Sequence, residues 1–186
     1  MERCPWSTKE QIYIDYHDTE WGVPVYDSNK LFAKLILDGF QAGLSWITIL
    51  KKRENFYKAF DNFDPEIIAR YNQTKINSLL QNKGIVRNKL KINATITNAK
   101  SFLMYSEKTG PFSDLLWSFV NGKPLVNQWE SMEQVPATSK ESDAMSKALK
   151  KLGFKFTGST ICYAFMQAVG MVNDHLVNCF RYKGLT

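Results

Sequence analysis

Metal-ligating side chains sit at the two ends of this chain and almost nowhere between. Cys4 and His17 lie near the start, His175 and Cys179 near the end. With two histidines and three cysteines in 186 residues, only Cys162 is left over. Two thiols and two imidazoles make a standard tetrahedral zinc set. One ion held by all four would close the chain on itself and bring both termini to one place. His175 and Cys179 are four residues apart, which on a helix puts both side chains on one face. The N-terminal pair has no diagnostic interval. On spacing alone, a free core cysteine, a stray surface cysteine and two unrelated histidines account for the pattern equally well.

The segments between read as helices with start and stop signals, and no period-two alternation predicts a strand. Asp27-Ser28 can cap a stripe of Leu31, Leu35 and Ile36, and Ser45 a helix carrying Ile49, Leu50 and Phe56. Asp64-Pro65-Glu66 supplies a capping carboxylate, a first-turn proline and an acid at the positive dipole end. Thr74 begins a helix that Gly84 stops, residues 88 to about 105 form a longer one, and Pro111 and Ser113 precede a short one. Ser139 starts a helix that ends before Gly153. Ser159 or Thr160 caps Ile161 to Met171, and Asn173 caps a last short helix bearing His175 and Cys179. An all-α fold forming one domain over residues 1–186 is expected.

A net charge of +6 favours an anionic partner such as nucleic acid. No apolar run is long enough for a bilayer, and the start has no apolar signal core. Three cysteines make no disulfide framework, so a reducing, cytoplasmic setting is expected.

Two stretches carry chemistry. Leu80 to Leu90 is a helix, a glycine turn and a second helix. Gly84 permits positive φ, and the amides of Gly84 to Arg87 can donate to a phosphate. Lys83, Arg87, Lys89 and Lys91 add a sequence-independent attraction for a DNA backbone. An ordinary hairpin with a solvated basic face fits as well. The second stretch is aromatic. Trp6, Tyr13, Tyr16 and Trp21 crowd the N-terminal segment outside any long helix, where rings suit a stacking pocket. They can equally be core rings tying down an irregular terminus. Between Asp38 and Trp46 one helix ends and another begins. There Gly43 allows close backbone contact, and Leu44 is either a wedge between bases or a core residue.

Arg3-Cys4, Tyr16 to Pro24, Gln41 to Asn55, Trp117 to Asn121, Gly153 to Gly158 and Asn173 to Cys179 together resemble DNA-3-methyladenine glycosylase I, in order and over nearly the whole chain. The resemblance implies a helix-hairpin-helix glycosylase fold with one structural zinc ion between the termini, on Cys4, His17, His175 and Cys179. It implies a base pocket at Tyr16 and Trp46, with Trp6, Tyr13 and Trp21 as walls, and a DNA-docking hairpin at Gly84 with Arg87 and Lys89. Gly43 and Leu44 would meet DNA as well. Where the family has a glutamate against the base, this chain has Asp38, one methylene shorter. The implied reaction is hydrolytic release of 3-methyladenine from double-stranded alkylated DNA by a monomeric enzyme. A reader that binds alkylated bases without cleaving them is the rival.

Overall fold

The helix from Ser28 to Gln41 is too apolar to face water on most sides. Nine of its fourteen residues are buried, Leu31 to Leu37 supplying most of them, and Asp38 lies among them near its C-terminal end. An amphipathic stripe was all that Leu31, Leu35 and Ile36 predicted, so this helix is more central than its pattern. The computed structural model describes residues 2–7 and 10–185, so both expected domain bounds lie outside the described residues.

The helices in chain order are α1 (Gln11–Thr19), α2 (Ser28–Gln41), α3 (Trp46–Ala59), α4 (Pro65–Ile68), α5 (Gln73–Gln81), α6 (Lys89–Lys108), α7 (Phe112–Ser118), α8 (Lys140–Lys151) and α9 (Ser159–Ala168). Three caps are those the sequence suggested, whereas Ser45 makes no cap bond and α9 starts at Gly158 rather than at a Ser159 or Thr160 cap. Asp27 accepts from the amide of Lys30, Asp64 from those of Glu66 and Ile67. Ser139 and Ser142 cap each other's backbone amides at the head of α8. α5 and α6 start at asparagine caps instead, Asn72 and Asn88. Around α2, the buried rings of Phe32, Phe40, Phe56, Phe60, Phe112 and Phe165 join α3, α6, α7 and α9 into one core.

Four expectations are corrected. The aromatic N-terminal segment is not irregular, because α1 carries Tyr13, Tyr16 and His17. Its N-cap position is Glu10, whose side chain makes no cap bond, so the sequence offers no start signal. The last helix does not exist. α9 ends at Ala168, Gly170 turns at φ +73°, and residues 174–180 are turns and bends with no helix. Their amides are used elsewhere: Val177 donates to the Trp129 carbonyl and Phe180 to that of Glu2. The fold is mostly helical but not wholly so. Two-residue strands β1 (Leu125–Val126) and β2 (Val172–Asn173) pair in parallel. Finally, Gly84 is not in the left-handed region. Its constraint is space, because a Cβ there would come within 3.1 Å of Asn55 on α3.

Among the described residues, no helix is long and apolar enough to cross a membrane.

Candidate active site

The four ligand candidates meet. Cys4 from the N-terminal segment and His17 from α1 face His175 and Cys179 from the final turns, and all four are buried. Cys179 Sγ lies 3.4 Å from His17 Nε2 and 3.5 Å from His175 Nδ1, and Cys4 Sγ lies 3.7 Å from His175 Nδ1. A tetrahedral zinc ion with ordinary Zn–S and Zn–N bonds has S–N edges of about 3.6 Å. Three S–N edges thus match such an ion, and all four donor atoms lie within 4.8 Å of one another. Their outward sides fit too. His17 Nδ1 is 2.8 Å from Asp18 Oδ1 and His175 Nε2 is 3.2 Å from the Trp21 carbonyl. Those contacts fix the tautomers that leave Nε2 of His17 and Nδ1 of His175 as donors to a metal. Arg3 grips Asp18 in turn and lowers its carboxyl pKa. Hydrogen bonds, foremost from Cys4 and then from both histidines, hold the Cys179 thiol low, toward thiolate. Cys162 stands apart in the core, where burial pushes its thiol up to about 12.

This cluster anchors one wall of a cavity of about 250 Å³. Its ring walls are Trp6, Tyr13, Tyr16, Trp21 and Trp46, and Asp38 lines it from α2. The Tyr16 and Trp46 rings stand 5.5 Å apart at 44°, and Trp6 meets Tyr13 and Trp21 edge-on at 5.3 and 5.1 Å. Trp21 also stands edge-on to His175 at 4.6 Å, so it serves the ligand cluster and the cavity together. Every residue expected in a stacking pocket is in this one cavity.

Two polar atoms of these lining residues lack partners. Asp38 Oδ2 and Trp46 Nε1 are buried and make no hydrogen bond, a state that costs free energy unless a ligand relieves it. Asp38 Oδ1 accepts from the Lys34 ammonium, one helical turn earlier. Burial raises the Asp38 carboxyl pKa and the Lys34 ammonium opposes that rise. Burial likewise lowers Lys34 itself, against the pull of Asp38. Burial also pushes Tyr16 well above the ordinary phenol range, so it stays neutral.

Among the lining residues that sequence reasoning missed are Lys34, Gln167 and Asp174. Lys34 had a signal, its i,i+4 spacing to Asp38. Asp174 had none. It is buried, and it accepts from Asn127, Trp129, Tyr163 and Gln167 at 2.7–2.8 Å. The strand pair β1–β2 brings Asn127 and Trp129 to it.

The other expected contacts lie outside the cavity. Gly43 turns at φ +79° between α2 and α3, and Leu44 beside it is 41% exposed, so it is not a core residue. The α5–α6 turn presents Arg87 and Lys89 to solvent. Lys91 does not join them: it is buried and donates to the carbonyls of Phe40 and Ala42, tying α6 to the end of α2. The Gly84 amide donates to Asn82 Oδ1 at 2.8 Å, so it is not a free phosphate donor.

A family profile described as methyladenine glycosylase matches residues 6–182. DNA-3-methyladenine glycosylase 1 of Escherichia coli (strain K12) is 52% identical over 184 residues, covering 99% of this chain and 98% of that one. A crystal structure of 3-methyladenine DNA glycosylase I superposes with a TM-score of 0.95 at 52% identity, covering 96% of this chain and 98% of the other. A variant of 3-methyladenine DNA glycosylase I in complex with 3-methyladenine superposes with a TM-score of 0.93 at 38% identity, covering 98% of each chain. The chain belongs to the methyladenine glycosylase family.

Proposed function

We propose that this protein is a monofunctional DNA glycosylase that releases 3-methyladenine from alkylated DNA, with the Asp38–aromatic cavity as its base pocket. The observation that supports the pocket assignment most is the unpartnered acceptor and donor, Asp38 Oδ2 and Trp46 Nε1, on residues that line one cavity.

An adenine methylated at N3 is cationic while it remains attached to its sugar. The faces of Tyr16 and Trp46 attract that charge by about 0.5–2 kcal/mol, more as water is excluded. Asp38, ionised, accepts a hydrogen bond from the exocyclic amino group, and it repels the carbonyl oxygen that guanine carries there. Trp6, Tyr13 and Trp21 wall the base in. The base must first leave the stack, at a cost of a few kcal/mol that is smaller for a damaged nucleotide. Leu44 fills the vacated space, beside Gly43. The basic turn with Gly84, Arg87 and Lys89 acts as the hairpin that docks the duplex backbone.

In the chemical step, water adds to the sugar carbon and gives up a proton. The electron pair of the glycosidic bond leaves with the base, which departs neutral, and an abasic site remains. Because the bond is already labile, recognition carries more of the catalysis than acid chemistry does. Zinc on Cys4, His17, His175 and Cys179 would be structural, since four protein ligands complete its coordination. It would fix α1, and with it Tyr13 and Tyr16, against the pocket. We take the chain as one domain that acts as a monomer in the cytoplasm.

The test is chromatographic detection of free base from methylated duplex DNA under single turnover. Release of 3-methyladenine, with no borohydride-trapped protein–DNA adduct, is the expected result. Binding of methylated DNA without release would favour the non-catalytic reader.

A further inference from the structure

The pocket already contains a cation. Lys34 lies one turn before Asp38 on α2, and its ammonium stands 4.2 Å from the centre of the Trp46 ring while donating to Asp38 Oδ1. A cationic base would use the same carboxylate, through its unpartnered Oδ2, and the same aromatic face. We propose that Lys34 is an internal competitor for the base site, whose return to Asp38 and Trp46 drives the released base out of the pocket. This rests on reading the cavity as the 3-methyladenine site.

The reasoning turns on the charge of the base before and after cleavage. A 3-methyladenine still joined to its sugar brings a positive charge. It can take the ammonium's place on the Trp46 face and bring its own positive charge to Asp38, so the carboxylate is never left as a lone buried anion. Cleavage sends the bond electrons into the base and removes that charge. Asp38 then faces a neutral ligand with a lysine nearby, and the ion pair reforms in preference. One group thus holds the pocket against neutral bases and yields it to a charged one. The displaced side chain has somewhere to go. Tyr16, Lys34 and Trp46 also line a second cavity of about 430 Å³. Glu20, Arg53 and Lys30 line it as well, with Glu20 paired to Arg53 at 2.5–2.9 Å, so an ammonium swung into it would share that carboxylate with Arg53.

The test compares wild type with Lys34→Met and Lys34→Arg, using free 3-methyladenine as a product inhibitor at pH 8. Single-turnover release from methylated DNA is measured beside it. Lys34→Met is expected to lower the inhibition constant for free 3-methyladenine by about tenfold, the factor for a lysine-free pocket populated about one tenth of the time. Multiple-turnover release should slow in that variant relative to single turnover, because the product now stays. Lys34→Arg, which keeps the charge, should behave as wild type; a cooperative melting transition in each variant would establish that it folds, at a lower temperature in Lys34→Met because Asp38 loses its partner. An inhibition constant that is unchanged or higher in Lys34→Met overturns the inference while leaving the glycosylase intact. Absence of 3-methyladenine release from wild type itself removes the base-pocket reading and the inference with it.

Discussion

Replacing Asp174 by asparagine tests how the pocket wall is held, and its size follows from hydrogen-bond arithmetic. Oδ1 accepts from Asn127 and Trp129, and Oδ2 from Tyr163 and Gln167, all within 2.8 Å. An amide in the same place keeps one acceptor oxygen and turns the other position into a donor. Tyr163 can rotate its hydroxyl and Asn127 can flip its amide, so one of the two lost bonds is replaced. Trp129 Nε1 can only donate, so asparagine must put its oxygen on that side, and Gln167 must then reorient. A hydrogen bond to a charged group contributes about 1.5–3 kcal/mol. One bond lost and others weakened put the cost at about 2–4 kcal/mol. For a chain of this length that lowers the melting temperature by about 4–16 °C. Urea denaturation followed by circular dichroism measures it. A variant within about 0.5 kcal/mol of wild type would refute the view that Asp174 is the hub joining β1, α9 and the final turns.

Three further outcomes are expected. Dialysis against a chelator should lower the melting temperature, and zinc at about a thousand times its dissociation constant should restore about 4 kcal/mol; a melting temperature indifferent to both would remove the metal from Cys4, His17, His175 and Cys179. Lys89→Ala should weaken binding alike on all duplex sequences and reduce the slope of log affinity against log salt by about one; an unchanged slope would take the α5–α6 turn off the DNA backbone. Leu44→Ala should slow release from duplex far more than from single-stranded methylated DNA, whereas equal slowing would mean that Leu44 fills no gap in a stack.

Much of the helical frame was legible because helix starts are written locally, as with Asp64-Pro65-Glu66 and the Ser139 that opens α8. The pocket rings were also legible as a group, since Trp6, Tyr13, Tyr16 and Trp21 fall within one short stretch. What escaped was set by tertiary contact. α1 forms without a capping side chain at Glu10, so its stability comes from packing Tyr16 and His17 inward. The turns at 174–180 look helical by spacing, yet the amides of Val177 and Phe180 are taken by the Trp129 and Glu2 carbonyls far away in sequence. The four metal donors converge without the helix that their interval suggested, because the turns deliver the same two side chains. Asp174 could not be read at all. Its partners are scattered from Asn127 to Gln167, and only the parallel pairing of β1 with β2 gathers them.

The most direct test of the account is the rate of 3-methyladenine release from methylated duplex DNA by Asp38→Asn and Asp38→Glu beside wild type. Asparagine keeps the shape but removes the charge that meets a cationic base, and losing one such preorganised contact lowers the rate by about a hundredfold or more. Glutamate, with its longer reach, should match or exceed wild type. Release by Asp38→Asn at the wild-type rate, with its fold intact, would contradict the claim that this buried carboxylate recognises the damaged base.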